Sequence, residues 1–319
     1  MPKSKIIPCL LLALTVSSGA FAQEWPRQKP ITFSVAFGPA STTDIVGRVI
    51  GQKLAEVLGQ SVIIENKPGA GGNVGAQLVK RAAADGYTVL VTSVAYAVNP
   101  SLYANAGYDP NKDFIPLILG PSTPNIITVN PAVAATNARE LVELAKKSQL
   151  AYASSGIGTT THLTMERLKI AAGVNITHVP YQPAQAVGAA VGGHTQISST
   201  SMPPAVPQIK AGKVRAIAVT SAQRSSVLPD VPTMNESGFK DFDDLTWIAF
   251  FLPAGTPAAI VDRMNAEINR IMEMPDVKAK FGDQGLTSRP NNPAEFGVFL
   301  RAEMAKWAKA VKDSGAKAE

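Results

Sequence analysis

Cysteine occurs once in the 319 residues, histidine three times, and aromatic side chains make up only 6%. A single thiol excludes an internal disulfide framework, and with it the class of small stapled secreted domains. His162, His178 and His194 stand at no metal-ligand spacing with each other or with cysteine, and H-E-x-x-H is absent, so no metal site is read. No G-x-S-x-G elbow is present to mark a serine hydrolase. Charged residues amount to 17%, and the basic ones are scattered singly or in pairs such as Lys80-Arg81 and Lys146-Lys147. Without a basic stripe and interleaved aromatics there is no nucleic-acid surface. The net charge of +6 then reads as a solvated face with a mild bias toward anionic ligands. No apolar run after the N-terminal region reaches membrane length. No cofactor signature is complete either. Gly69-Ala70-Gly71-Gly72-Asn73-Val74-Gly75 follows a strand pattern and opens a helix pattern, but Val74 stands where a dinucleotide fingerprint needs its third glycine. A tight strand-to-helix turn is the better reading.

The N-terminus carries the clearest positive signal. Lys3 and Lys5 precede an apolar stretch from Ile6 to Val16, followed by Ala20-Phe21-Ala22. Basic, apolar and small-residue regions in that order read as a secretory signal cut after Ala22, giving a soluble periplasmic protein. Cys9 falls inside the leader, too early for a lipid-anchoring cysteine. Removing the first 22 of 319 residues leaves 297 and takes the net charge from +6 to +4 with the loss of Lys3 and Lys5. A chain of that size without disulfides must be held by its core.

Strand-like and helical patterns alternate through most of this length. Ile31–Phe37, Ser61–Asn66 and Thr88–Ser93 read as strands, with helices over Asp44–Leu58 and Asn73–Ala83. The second half repeats the rhythm, with strands near 150–153, 176–179, 195–199 and 214–220 and helices near 160–172 and 184–191. Such alternation predicts α/β architecture with mixed, mostly parallel sheets. The part after Pro257 is mainly helical, and its late helix carries Phe296, Leu300, Met304, Trp307 and Val311 as core residues. Pro-rich stretches around Phe114–Val129 and Leu228–Leu252 read as crossings between two lobes. Residues 23–125 and 246–319 then form lobe one, and residues 126–245 form lobe two.

Two loops, one in each half, are built alike. Gly38-Pro39-Ala40-Ser41-Thr42-Thr43-Asp44 follows the apolar run ending at Phe37, and Ser154-Ser155-Gly156-Ile157-Gly158-Thr159-Thr160-Thr161 follows Leu150–Ala153. A helix start leaves backbone N–H groups unpaired at the positive end of the macrodipole, and small residues leave them accessible to an anion. Ordinary capping by Ser, Thr and Asp accounts for either loop alone. Together they predict a ligand held between two lobes. The candidate contacts are Phe37, Pro39, Ala40, Ser41, Thr42, Thr43 and Asp44 on the first loop, and Ser154, Ser155, Gly156, Gly158, Thr159 and Thr160 on the second. Ser93, Tyr96, Tyr181, Thr200 and Ser201 at neighbouring strand ends complete the set. These loops are poor in acids, bases and nucleophile pairs, which suits binding without turnover. The enzyme alternative is a secreted hydrolase using Ser154 or Ser155 with His162.

Several segments resemble a known family. Val35–Asp44 and Glu65-Asn66-Lys67-Pro68-Gly69-Ala70-Gly71-Gly72-Asn73-Val74-Gly75 resemble the first lobe of the Bug (TctC-like) extracytoplasmic solute receptors. The resemblance continues through Asn99-Pro100-Ser101-Leu102-Tyr103, His178-Val179-Pro180-Tyr181, Leu228-Pro229-Asp230-Val231-Pro232-Thr233 and Pro253-Ala254-Gly255-Thr256-Pro257. It implies a two-lobed periplasmic binding protein, type II-like, serving the membrane subunits of a tripartite tricarboxylate transporter, and a monomer is expected. It also implies a small carboxylate ligand held largely by backbone N–H groups of both lobes. Service as a ligand sensor for a membrane kinase is the alternative partner. Departures from the family pattern narrow the ligand. Gly38-Pro39-Ala40-Ser41 replaces the usual Pro-Pro-Gly-Gly, and Ser199-Thr200-Ser201 replaces a frequent Phe-Asp-Asn. The missing acid removes a partner for a ligand ammonium. The expected ligand is therefore an organic acid without an essential amine, with a dicarboxylate favoured and an aromatic ring beside Phe37 or Tyr181 allowed.

Overall fold

A computed structural model describes residues 25–318; the expected leader and its cleavage point lie outside the described residues. Among the described residues nine strands form one hydrogen-bonded sheet with two wings, eight of them on one path. The first wing holds β1 (Ile31–Val35), β2 (Val62–Asn66) and β3 (Thr88–Ser93), with β1 central and parallel to both neighbours. The second holds β5 (Leu150–Ser154), β6 (Ile176–Pro180) and β7 (Ile197–Ser201), again with the first strand central and parallel. The two are joined by β4 (Phe114–Val129) and β9 (Leu245–Pro253), and β8 (Arg215–Val219) lies along β4. All four antiparallel pairings involve β4 or β9, so the parallel order read from the sequence holds within each wing and ends at the crossing strands.

The Pro-rich crossing around Phe114–Val129 is a single strand, and its prolines do not interrupt β4. It runs 16 residues, and its register against β9 shifts near Pro116 and again between Leu119 and Ser122. Such irregularities are where a strand tolerates residues that cannot donate to the ladder. Up to Pro124 the strand pairs with β9; from Asn125 it pairs with β7 and β8. One strand therefore belongs to both lobes, and a second, β9, begins opposite the point where its pairing changes.

β1 and β3 are buried on both faces, whereas edge strand β2 exposes alternate residues, among them Ile63 and Glu65. Alternate residues divide between two cores. Val89, Val91, Ile248, Phe250 and Leu252 face one of them, and Leu90, Trp247, Ala249 and Phe251 face the other. The first is covered by α1 (Thr42–Leu58) and α8 (Ala258–Met272), contributing Val46, Ile50, Leu54, Met264 and Ile268. The second is covered by α2 (Asn73–Lys80), α3 (Ala95–Leu102) and, after α9 (Pro275–Gly282), by α10 (Pro293–Ser314). Phe296, Leu300, Trp307 and Val311 of α10 are buried there, as their spacing predicted. Burying one such large side chain contributes about 1.5–3 kcal/mol. In the second wing α4 (Ala138–Lys147) and α5 (Thr160–Ala172) cover one face; α6 (Pro183–Val191) and α7 (Met202–Lys210) cover the other.

Candidate functional site

The two loops singled out by composition meet. Ser41 caps α1 from an extended backbone (φ −70°, ψ 159°), its hydroxyl accepting from the Asp44 amide at 3.2 Å. The Asp44 carboxylate turns back, away from the cleft. It accepts from the Ala40 amide (3.0 Å), Asn66 Nδ2 (2.9 Å) and Arg48 Nε (3.0 Å). Burial opposes its charge, yet these hydrogen bonds hold it below the usual carboxylate range. Asp44 thus fixes the loop and keeps its own charge from the cleft. Ser41→Ala should lower stability by about 1 kcal/mol, the usual value of an N-cap hydroxyl, which equilibrium denaturation would measure.

In the second lobe Thr159 caps α5, and its hydroxyl lies 2.9 Å from that of Thr161. Thr161 Oγ1 in turn accepts from the Ser155 amide at 3.0 Å. The loop is shaped by Gly156 (φ 116°) and Gly158 (φ 80°), conformations that favour glycine. A Cβ on Gly158 would stand 2.4 Å from Leu102 of α3, because this loop packs directly on the first lobe.

Between the loops lies a small cavity of about 30 Å³ lined by twelve residues, and ten of them are serine or threonine. The N-termini of four helices border it: Thr42 and Thr43 of α1, Thr160 and Thr161 of α5, Pro183 of α6, and Ser201, which caps α7. Among the described residues the amides of Thr42, Thr43, Thr160 and Thr161 have no partner. No charged side chain lines the cavity. Hydroxyl pairs bridge the lobes directly, Thr42 to Ser201 at 2.7 Å and Thr160 to Thr246 at 2.6 Å. Asn125, on β4 where its pairing changes, accepts from Thr246 at 2.7 Å and leaves its own Nδ2 unpaired. Ser155 Oγ lines the cavity, is buried, and has no partner. Buried donors and acceptors left open in this way are costly unless another molecule satisfies them.

Of the candidate contacts, Phe37, Ser41, Thr42, Thr43, Ser93, Ser155, Thr159, Thr160 and Ser201 line this cavity. The others stand elsewhere. Pro39 and Ala40 are exposed at the outer bend, where Ala40 has a positive φ of 59°. Tyr96 lies in the aromatic core, stacked on Phe251 at 4.2 Å with its hydroxyl donating to the Pro110 carbonyl. Gly156 and Gly158 belong to the loop but do not line the cavity, nor does Tyr181, and Thr200 is fully buried beside Ser201, its hydroxyl unpaired. Ser154 has no solvent access, and its hydroxyl lies 2.7 Å from Nε2 of His178 rather than beside His162. The hydrolase arrangement of Ser154 with His162 is therefore not what the fold assembles. Thr161, Pro183 and Thr246 line the cavity without having been singled out. Pro183 at a helix start was legible as such; Thr246 lies far away in sequence and only the return of β9 brings it in.

Two α/β lobes joined by crossing strands, with a charge-free cleft of helix starts between them, define a solute-binding receptor. The comparisons agree. Residues 46–316 match the family described as Tripartite tricarboxylate transporter family receptor. The chain is 31% identical to BugT of Bordetella pertussis over 317 residues, covering 98% of this chain and 97% of that protein. It superposes on a Rhodopseudomonas palustris protein solved with adipate, with a TM-score of 0.89 and 32% identity over 92% of this chain and 99% of the other. MatC of Rhodopseudomonas palustris with bound malate gives a TM-score of 0.85 and 30% identity over 89% and 99%. The chain belongs to the tripartite tricarboxylate transporter receptor family, whose members are periplasmic binding proteins.

Proposed function

We propose that this receptor captures a small dicarboxylate between its lobes in the periplasm and delivers it to the membrane subunits of a tripartite tricarboxylate-type transporter. The observation that carries the reading is the convergence of four helix N-termini on a cavity without charged side chains. An anion there is held by neutral donors already aimed at it, so its desolvation is offset without a salt bridge. The adipate and malate bound by the two neighbours above are acids of this class. Lobe one would comprise residues 23–125 and 246–319 and lobe two residues 126–245. The change of β4 partners between Pro124 and Asn125 supports that division. Export would proceed by cleavage after Ala22, and the receptor would act as a monomer.

The cavity of about 30 Å³ has room for about one water. A dicarboxylate must therefore enter with the lobes apart and take over the partners of the Thr42–Ser201 and Thr160–Thr246 bridges. Closure then draws on ligand contacts with both lobes. Calorimetry with adipate, malate, α-amino acids and neutral sugars tests the reading. Binding of only amino acids or sugars would overturn it. Ser155→Ala and Thr160→Ala should each weaken the bound acid by about 0.5–1.5 kcal/mol, the net value of one neutral hydrogen bond. A loss of several kcal/mol at either position would move the site from backbone donors to side chains.

A further inference from the structure

We infer that the stacked histidines His162 and His178 are positioning residues for the ligand loop 155–159, which keeps its binding shape only while both rings are neutral. This rests on the proposed anion site and extends it to side chains that do not line the cavity. His162 is the third residue of α5 and His178 sits mid-strand in β6. Their rings stack at 4.2 Å and 22°, and His178 stacks in turn on Tyr152 of β5 at 4.8 Å and 24°. The column stands directly behind the loop and holds it at two points. The Gly158 amide donates to Nδ1 of His162 at 3.4 Å. Ser154 Oγ lies 2.7 Å from Nε2 of His178 while accepting from the Gly156 amide at 3.1 Å.

Both attachments depend on protonation. A proton on Nδ1 of His162 would face the Gly158 N–H with a second donor. The neutral His178 ring lets Nε2 accept from the Ser154 hydroxyl in its Nδ1–H tautomer, whereas the charged ring fixes Nε2 as a donor to that oxygen. Two imidazolium rings at this separation would also repel each other. The groups facing the pair are few. Glu166 Oε1 of α5 lies 3.9 Å from His162 Nε2, but it already accepts from the Tyr152 hydroxyl (2.6 Å) and from Lys169 (2.9 Å). Burial pushes both histidines below their ordinary value, His178 to about 3, against the pull of Glu166. The sign follows from these depressed values. The arrangement is complete above about pH 6.5, the ordinary histidine value, and is undone as pH falls toward the depressed ones. Gly158 has no slack to absorb the change, because the loop is packed on Leu102 and Asn99.

The experiment follows the Gly156 and Gly158 amide resonances from pH 7.5 to 4.5 without ligand, with adipate calorimetry over the same range. His162→Asn retains an acceptor near the Nδ1 position but does not titrate. In the unmutated protein the Gly158 resonance should move as His162 charges. Adipate affinity should fall about tenfold further than in His162→Asn over that range. Comparing the two proteins at each pH cancels the titration of adipate itself. A Gly158 resonance that ignores pH, matching affinity profiles, or tighter binding by the unmutated protein on acidification would each overturn the inference. His162→Gln, which also keeps an amide acceptor on α5 and does not titrate, repeats the test if His162→Asn does not fold. Should adipate bind neither protein at pH 7.5, the anion-site reading fails, while the Gly158 titration still decides the role of the histidines.

Discussion

Gly158→Val is expected to weaken adipate binding by about a hundredfold or more, roughly 2.8 kcal/mol. Two effects combine. The residue has φ 80°, a region that a β-branched side chain enters at a penalty of about 1–3 kcal/mol. Its new Cβ would also stand 2.4 Å from Leu102 and 3.1 Å from Asn99, both in α3 of the opposite lobe. The clash is therefore relieved by keeping the lobes apart, which removes half the donors from the ligand. Gly173 provides the control. It ends the same helix at φ 62° with nothing within 4 Å of a Cβ, so Gly173→Ala should leave affinity unchanged and lower stability slightly. Calorimetry and thermal unfolding on both variants separate closure from backbone strain. Equal affinity losses would show that the α3 contact is irrelevant.

Arg167→Ala should cost about 3–5 kcal/mol of stability near pH 7, the range for removing one partner of a buried ion pair. Asp244, just before β9 crosses between the lobes, has only 1% of its side chain exposed. Arg167 of α5 reaches both of its carboxylate oxygens through one nitrogen, at 2.6 and 2.5 Å, and stacks 4.4 Å above Phe242. Burial pushes the Asp244 carboxyl above its ordinary value even with Arg167 opposing that shift. Without the guanidinium it would rise further. A carboxyl that binds its proton more tightly in the folded state destabilises most at pH above the raised value, and less as acidification neutralises it. The variant's deficit should therefore shrink between pH 7 and pH 4.5 in urea titrations. A deficit independent of pH would assign the effect to lost packing on Phe242.

The strands were legible where both faces are buried, because Ile31–Val35 and Thr88–Ser93 are rich in β-branched and aromatic residues and carry no charge. The helix over residues 202–210 was not legible. Pro203, Pro204 and Pro207 within nine residues mask its helical pattern, yet two of them occupy the first turn, where the missing N–H is no loss. α3 was hidden for a related reason, since Pro100 lies inside it and nearly all its residues are buried, which erases amphipathic contrast. For the candidate site, what could be read was local chemistry: caps, hydroxyls and glycines. Tyr96 and Asp44 were misplaced because proximity in sequence says nothing of which way a side chain turns. Asn125 and Thr246 carried no local signal at all. Their meeting depends on two strands, 121 residues apart at that contact, arriving side by side.

A cleft that offers helix starts instead of lysines and arginines also sets how an anion would approach. The field of a helix end fades within about one turn, so it does not reach into bulk water as a full charge does. Encounter with the open cleft would then be steered only by the chain's modest net positive charge, with a correspondingly modest sensitivity to ionic strength. Discrimination would then fall to closure, as sixteen-residue β4 joins the two sets of donors. Such a receptor samples passing anions without attracting all of them, and holds those whose two ends satisfy both halves of the cleft at once.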